Sequence, residues 1–168
     1  MKLRWALLII LGCGSCARTL ITLSAPIADP HTGANPLEVV ARASGVTDPL
    51  PMHGGHVAWI AVEESLARVI AHAAMPWAET HRNERVGGWQ LAVDVWQASV
   101  RRHDHAVTVR LSVRATLRTH EGNRYLAQTQ SYCQHSMLVE SADAAPVFYA
   151  CMNSIGHELA GWLAGISP

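Results

Sequence analysis

Between Val107 and Arg118 apolar and polar residues alternate without a break: Val107, Val109, Leu111, Val113, Ala115 and Leu117 interleave with Thr108, Arg110, Ser112, Arg114, Thr116 and Arg118. Successive side chains of a strand point to opposite faces, so this segment fits a strand with one dry face and one wet face. A sheet with a dry face needs another layer to cover it. On the N-terminal side, Trp89, Leu91, Val93 and Val95 point one way and lead into a polar turn over Arg101 to His105. On the C-terminal side, Glu121-Gly122-Asn123 supplies turn residues, and the more polar run from Arg124 to His135 reads as a third strand nearer an edge. These three runs form a meander.

Two amphipathic segments supply the covering layer. From about His56 to Met75, Trp59, Val62, Leu66, Val69, Ile70 and Ala73 fall at three- and four-residue steps, the period of a helix face, and Pro76 is expected to end that helix. A second helix is expected from about Ala144 to Ile166, with Ser141 or Asp143 as N-cap and Pro146 in the first turn. Its apolar stripe is Phe148, Cys151, Ile155, Leu159, Trp162, Leu163 and Ile166. Arg18 to Ala25 is short and β-branched and reads as a first strand. Residues 27–55 are rich in proline and glycine and read as loop, with one strand inside them over Leu37 to Ala43. The expected class is α+β: an antiparallel sheet built as strand, helix, three-stranded meander and helix, with the two helices packed on one face.

The N-terminus carries a different kind of information. Met1-Lys2-Leu3-Arg4 is followed by the apolar run Trp5 to Leu11 and then by Gly12-Cys13-Gly14-Ser15-Cys16. Two cations before a short apolar run that ends in a small residue make an export signal, and the run is too short to span a bilayer. Ile10-Leu11-Gly12-Cys13 resembles a bacterial lipobox, in which the cysteine is diacylated and becomes the mature N-terminus. The expected organisation is therefore a lipoprotein signal peptide over 1–12 and one periplasmic domain over 13–168, held to a membrane by the lipid on Cys13. Cys16 is a rival site with a poorer preceding triplet, Cys13-Gly14-Ser15.

Half of the residues are apolar, 49%, which argues against disorder and gives a chain of this length enough material for a core. Lys2 and Arg4 leave with the signal, so the mature chain is weakly acidic and all its cations are arginines. That is no nucleic-acid footprint.

Residues with chemical potential do not combine into a catalytic centre. His103-Asp104-His105 lies in the turn between two strands and offers too few ligands for zinc, so no metal and no cofactor are expected. His53-Gly54-Gly55-His56 lacks the lysine and serine of a phosphate loop. Ser65 and Ser154 fall within helices rather than on a strained elbow. His157-Glu158 begins like a zincin helix, but Gly161 stands where the second histidine is due. No catalytic residue is assigned, and the chain is expected not to be an enzyme. Cys133 and Cys151 suit a disulfide in an exported domain, or else two small buried hydrophobes. Arg110, Arg114 and Arg118 form a row on one strand face, suited either to a protein partner or anionic lipid or to simple solvation.

Several of these features together resemble the auxiliary lipoproteins of ABC-type transport systems, including the paraquat-inducible-type lipoproteins that accompany MCE lipid transporters. The resemblance lies in Cys13-Gly14-Ser15 followed by Arg18 to Pro26, in Pro36 to Arg42, and in Trp59 ahead of Glu63 to Ile70. It continues in the meander from Leu91-Ala92-Val93-Asp94-Val95 and the ending Ala160-Gly161-Trp162-Leu163. It implies a non-catalytic accessory role in envelope lipid transport, with MCE and ABC components as partners, a tendency to self-associate, and an outer-membrane address. Two alternatives stay open: a lipopolysaccharide- or outer-membrane-assembly lipoprotein, and a lipid carrier whose tryptophans Trp59, Trp77, Trp89, Trp96 and Trp162 line a cavity.

Overall fold

Alternation over Val107–Arg118 is matched by burial: Val107, Val109, Leu111, Val113, Ala115 and Leu117 are at most 1% exposed. The computed structural model describes residues 19–21, 36–44, 46, 50–52, 55–57, 59–82, 88–119, 125–138 and 144–166. In chain order the elements are β1 Thr19–Ile21, β2 Leu37–Arg42, β3 Leu50–Met52, β4 Gly55–Val57, α1 Trp59–Ala73, α2 Met75–Thr80, β5 Trp89–His103, β6 Ala106–Thr119, β7 Tyr125–Leu138 and α3 Ala145–Ala164. They make an α+β fold with a four-stranded sheet in the order β2-β5-β6-β7 and a three-stranded sheet in the order β1-β4-β3.

The meander β5-β6-β7 is antiparallel throughout, and β7 is an edge. β2 joins the other edge in parallel, with Leu37 opposite Trp89 and Arg42 opposite Asp94. The direction follows from the connection: the chain between β2 and β5 crosses through α1 and α2, and such a crossover returns the strand pointing the same way. The sheet is thus mixed rather than antiparallel in every pair. Within the run Arg18–Ala25 the described residues Thr19–Ile21 form β1, which pairs in parallel with β4 outside the main sheet. Loop-rich 27–55 contains β3 as well as β2.

Helix boundaries also differ from expectation. α1 starts at Trp59, because Gly55–Val57 is taken by strand β4. Pro76 does not stop helical structure: the chain turns at Ala74 and resumes as α2 with Pro76 in its first turn, where a missing N–H costs nothing. The N-cap of α3 is Ala144, without a side-chain cap bond, and Pro146 lies in the first turn. Ser141 and Asp143 lie outside the described residues. The turn from β5 to β6 is tighter than Arg101–His105, for His103 already pairs with Ala106. Asp104 adopts φ 53°, a left-handed value that aspartate tolerates in tight turns. At the start of β5, Gly88 has φ 78°, and a side chain there would meet the Pro36 carbonyl oxygen at 3.0 Å. The next residue, Trp89, donates its N–H to that same oxygen at 2.9 Å and so opens the pairing of β5 with β2.

Both long helices cover the dry sheet face. Val62, Leu66 and Ile70 of α1 and Phe148, Ile155 and Leu159 of α3 join the strand residues in one core. Among the described residues no helix is long and apolar enough to cross a membrane. α1 and α3 approach closely at Gly156, where an added Cβ would lie 3.1 Å from Val69 Cγ1 and 3.5 Å from Ala73 Cβ. Gly156→Leu is therefore expected to wedge the helices apart and cost about 1–3 kcal/mol, the usual penalty for overpacking. Thermal denaturation of the variant checks this, and an unchanged melting temperature would refute close helix contact at that point.

Candidate functional site

The wet face of the four-stranded sheet lies opposite the helices and gathers the arginine row. Strand register places the neighbours. Arg110 lies between Ser99 and Gln134, Ser112 between Gln97 and Tyr132, and Arg114 between Asp94 and Gln130. A register shift between Val95 and Gln97 inserts Trp96 as a bulge residue. Val95 faces the core and Gln97 shares the outer rung of Ser112, so Trp96 and Gln97 both turn outward, as two consecutive residues do in a bulge. Trp96 is 44% and Tyr132 56% exposed, whereas Ser112 between them is 5% exposed. The outer face therefore has a low point at Ser112, an aromatic residue on each neighbouring strand, and an arginine two residues before and after it.

Electrostatics reinforce this pattern. The acidic residues of the same face already have partners: Asp94 accepts from Ser44 N at 3.0 Å and from Ser44 Oγ at 2.6 Å, and Glu38 accepts from Gln90 Nε2 at 2.7 Å among its contacts. Tyr132 donates its hydroxyl to Gln134 Oε1 at 2.8 Å. Arg110 Nε is buried with no hydrogen-bond partner, an uncommon condition for a charged group. Arg114 is exposed and makes no ion pair among the described residues. Arg118 is half-buried and has a partner of its own.

The other sequence candidates lie elsewhere. Cys13 and Cys16 are outside the described residues. Cys133 and Cys151 are joined by a disulfide from β7 to α3, with Cα atoms 5.5 Å apart. It is flanked on the strand by Ser131, which donates to Glu158 Oε2 at 2.6 Å, and by His135, whose Nε2 lies 3.0 Å from Ser154 Oγ. Ser154 Oγ also lies 3.1 Å from the Ala150 carbonyl, so its hydroxyl has an acceptor within its own helix as well as the His135 imidazole beside it. Ser65 is buried within α1. His103 and Asp104 are bonded to each other at 2.9 Å on an exposed turn, and among the described residues no group of three or more histidine, cysteine or acidic side chains could hold a metal.

The tryptophans whose side chains are described do not gather around one cavity. Trp77 and Trp89 meet edge to face at 5.8 Å inside the core, while Trp96 lies on the opposite side of the sheet. A depression of about 420 Å³ between α2 and α3 is lined by Ala73, Pro76, Trp77, Thr80, His81, Ala160 and Ala164. Its polar members turn back on their own helix: Thr80 Oγ1 donates to the Pro76 carbonyl and His81 Nδ1 to the Trp77 carbonyl. Convergent polar groups, which orient a bound ligand in most small-molecule sites, are not presented there. The grouping of Trp96 and Tyr132 around Ser112 is not visible in the sequence, because it depends on the bulge and on cross-strand register.

Neither a protein-family model nor a curated protein matches the chain. Solved structures of similar layout include bacterial lipoproteins. The minor lipoprotein from Acinetobacter baumannii is 10% identical, with 80% of this chain and 98% of that chain covered, at a TM-score of 0.43. A Xanthomonas campestris protein of the DUF330 family is 19% identical, with 87% and 95% covered, at a TM-score of 0.48. The PelC dodecamer from Paraburkholderia phytofirmans is 10% identical, with 80% and 92% covered, at a TM-score of 0.39.

Proposed function

We propose that this chain is a non-catalytic accessory lipoprotein of the bacterial cell envelope, anchored through acylated Cys13 and bound to the components of an MCE/ABC-type lipid transporter. The observation that carries the reading is the outer sheet face, where Trp96 and Tyr132 stand exposed beside Arg110 and Arg114. Tryptophan, tyrosine and arginine are the residue types that most often dominate binding energy at protein interfaces. A solvated face of a monomer needs charge for solubility but has no use for two large exposed aromatics flanking a low point. The lipobox-like Ile10-Leu11-Gly12-Cys13 supports the envelope address.

The test is isolation of the full chain, tagged at its C-terminus, from its own bacterium in mild detergent. Permease, ATPase and MCE proteins are expected to accompany it in fixed proportion. Recovery with outer-membrane assembly components instead would overturn the transporter assignment in favour of the assembly alternative.

A further inference from the structure

The outer face carries more than a general tendency to bind. Along β6 the outward positions Arg110, Ser112 and Arg114 read cation, small residue, cation at steps of two. The two arginine Cα atoms are roughly 13 Å apart at about 3.3 Å per strand residue. An extended segment lying on this face presents its own side chains with the same period. Its residues i and i+4 can meet the two arginines while i+2 projects to the low point at Ser112, between the aromatic residues of the neighbouring strands.

We propose that this rung docks an extended acidic segment of a protein partner with the pattern acidic, any, apolar, any, acidic. The carboxylates meet Arg110 and Arg114, and the central apolar side chain seats between Trp96 and Tyr132. The proposal rests on the accessory reading above and names the contact through which it operates. Charge complementarity selects the partner's chemistry: Asp94 and Glu38 are engaged by Ser44 and Gln90, while neither Arg110 nor Arg114 makes an ion pair among the described residues. A guanidinium presents a rigid fork of donors that fits a carboxylate with two parallel bonds. A protein surface is favoured over a lipid surface by what flanks the cations. Gln97 beside Ser112 and Gln130 beside Arg114 offer directional hydrogen bonds that suit an ordered backbone, whereas binding to anionic lipid relies on clustered cations and inserted apolar groups.

The experiment uses the mature lipoprotein in phosphatidylcholine nanodiscs and a fluorescein-labelled peptide of sequence Gly-Glu-Thr-Leu-Thr-Glu-Gly, with its isomer carrying glutamine at both glutamate positions. Anisotropy is expected to show binding of the acidic peptide that weakens roughly tenfold for the glutamine isomer and for Arg114→Glu. Tyr132→Ala should weaken binding of the acidic peptide as well, and the melting temperature of each variant should match the parent. Arg114→Gln serves as the second variant should charge reversal disturb the fold. Equal binding of the two peptides, or no binding of either, would overturn the proposal. Loss of peptide binding when phosphatidylglycerol is added to the discs would also overturn it, by assigning the face to anionic lipid. Peptide binding without co-purifying transporter components would leave this face standing and retire the transporter reading. The converse result would retire the face alone.

Discussion

Cys13→Ala is expected to abolish incorporation of a fatty-acid analogue and to move the chain out of the membrane fraction, the largest effect that any single substitution in this protein should produce. The reason is the size of the anchoring term. Each buried methylene contributes about 0.8 kcal/mol, so two acyl chains hold a domain far more firmly than any contact the sheet face can offer. No described helix can take over, since none is long and apolar enough to cross a membrane. Metabolic labelling of cells expressing the parent chain, Cys13→Ala and Cys16→Ala, followed by fractionation, checks the assignment. Full label on Cys13→Ala would refute it, and loss of label in Cys16→Ala alone would place the anchor at Cys16.

What could be read from the sequence was whatever depends on local period. β6 was legible because every core-facing position before the terminal Thr119 is apolar and nearly every outward one is polar, so one face was marked along almost its whole length. α3 was legible for the same reason at helical period, with Phe148, Cys151, Ile155, Leu159 and Leu163 all buried. The pairing direction of β2 was not, because Leu37–Arg42 carries no local mark of which strand it will join or which way it will run. The bulge at Trp96 hid the second half of β5: one inserted residue reverses the phase of the alternation, so a single period cannot describe Trp89–His103. At the candidate site the arginine row was visible from spacing along one strand. Its aromatic neighbours were not, since Trp96, Ser112 and Tyr132 come together only through the register of three strands. Pro76 misled in a different way. Proline is incompatible with a helix interior but suits a first turn, and the sequence does not say which of these a given proline occupies.

The disulfide yields the second large effect. Cys133 and Cys151 are 4% and 0% exposed, so replacing both by alanine keeps the sites apolar and leaves no hydroxyl to be buried without a partner. Their separation of 18 residues closes a short loop in the unfolded chain. In the chain-entropy model a loop of this size stabilises the native state by about 3 kcal/mol, and at roughly 2–4 °C per kcal/mol for a chain of this size the melting temperature should fall by roughly 6–12 °C. The position makes the full effect plausible, because β7 is an edge strand that pairs only with β6 within the main sheet. On its core side the bond works together with Ser131–Glu158 and His135–Ser154 to fasten that edge to α3. Those two hydrogen bonds are part-buried or exposed and contribute about 1 kcal/mol each or somewhat more for the charged one, so they cannot replace the covalent link. Calorimetry of the parent and of the Cys133→Ala/Cys151→Ala double variant checks the size of the effect, and non-reducing peptide mapping of protein isolated without reductant from its own bacterium checks the bond itself. If the double variant melted within a degree or so of the parent, β7 would be held by its pairing with β6 and its packing on α3 alone, and the loop-closure account of its stability would fail.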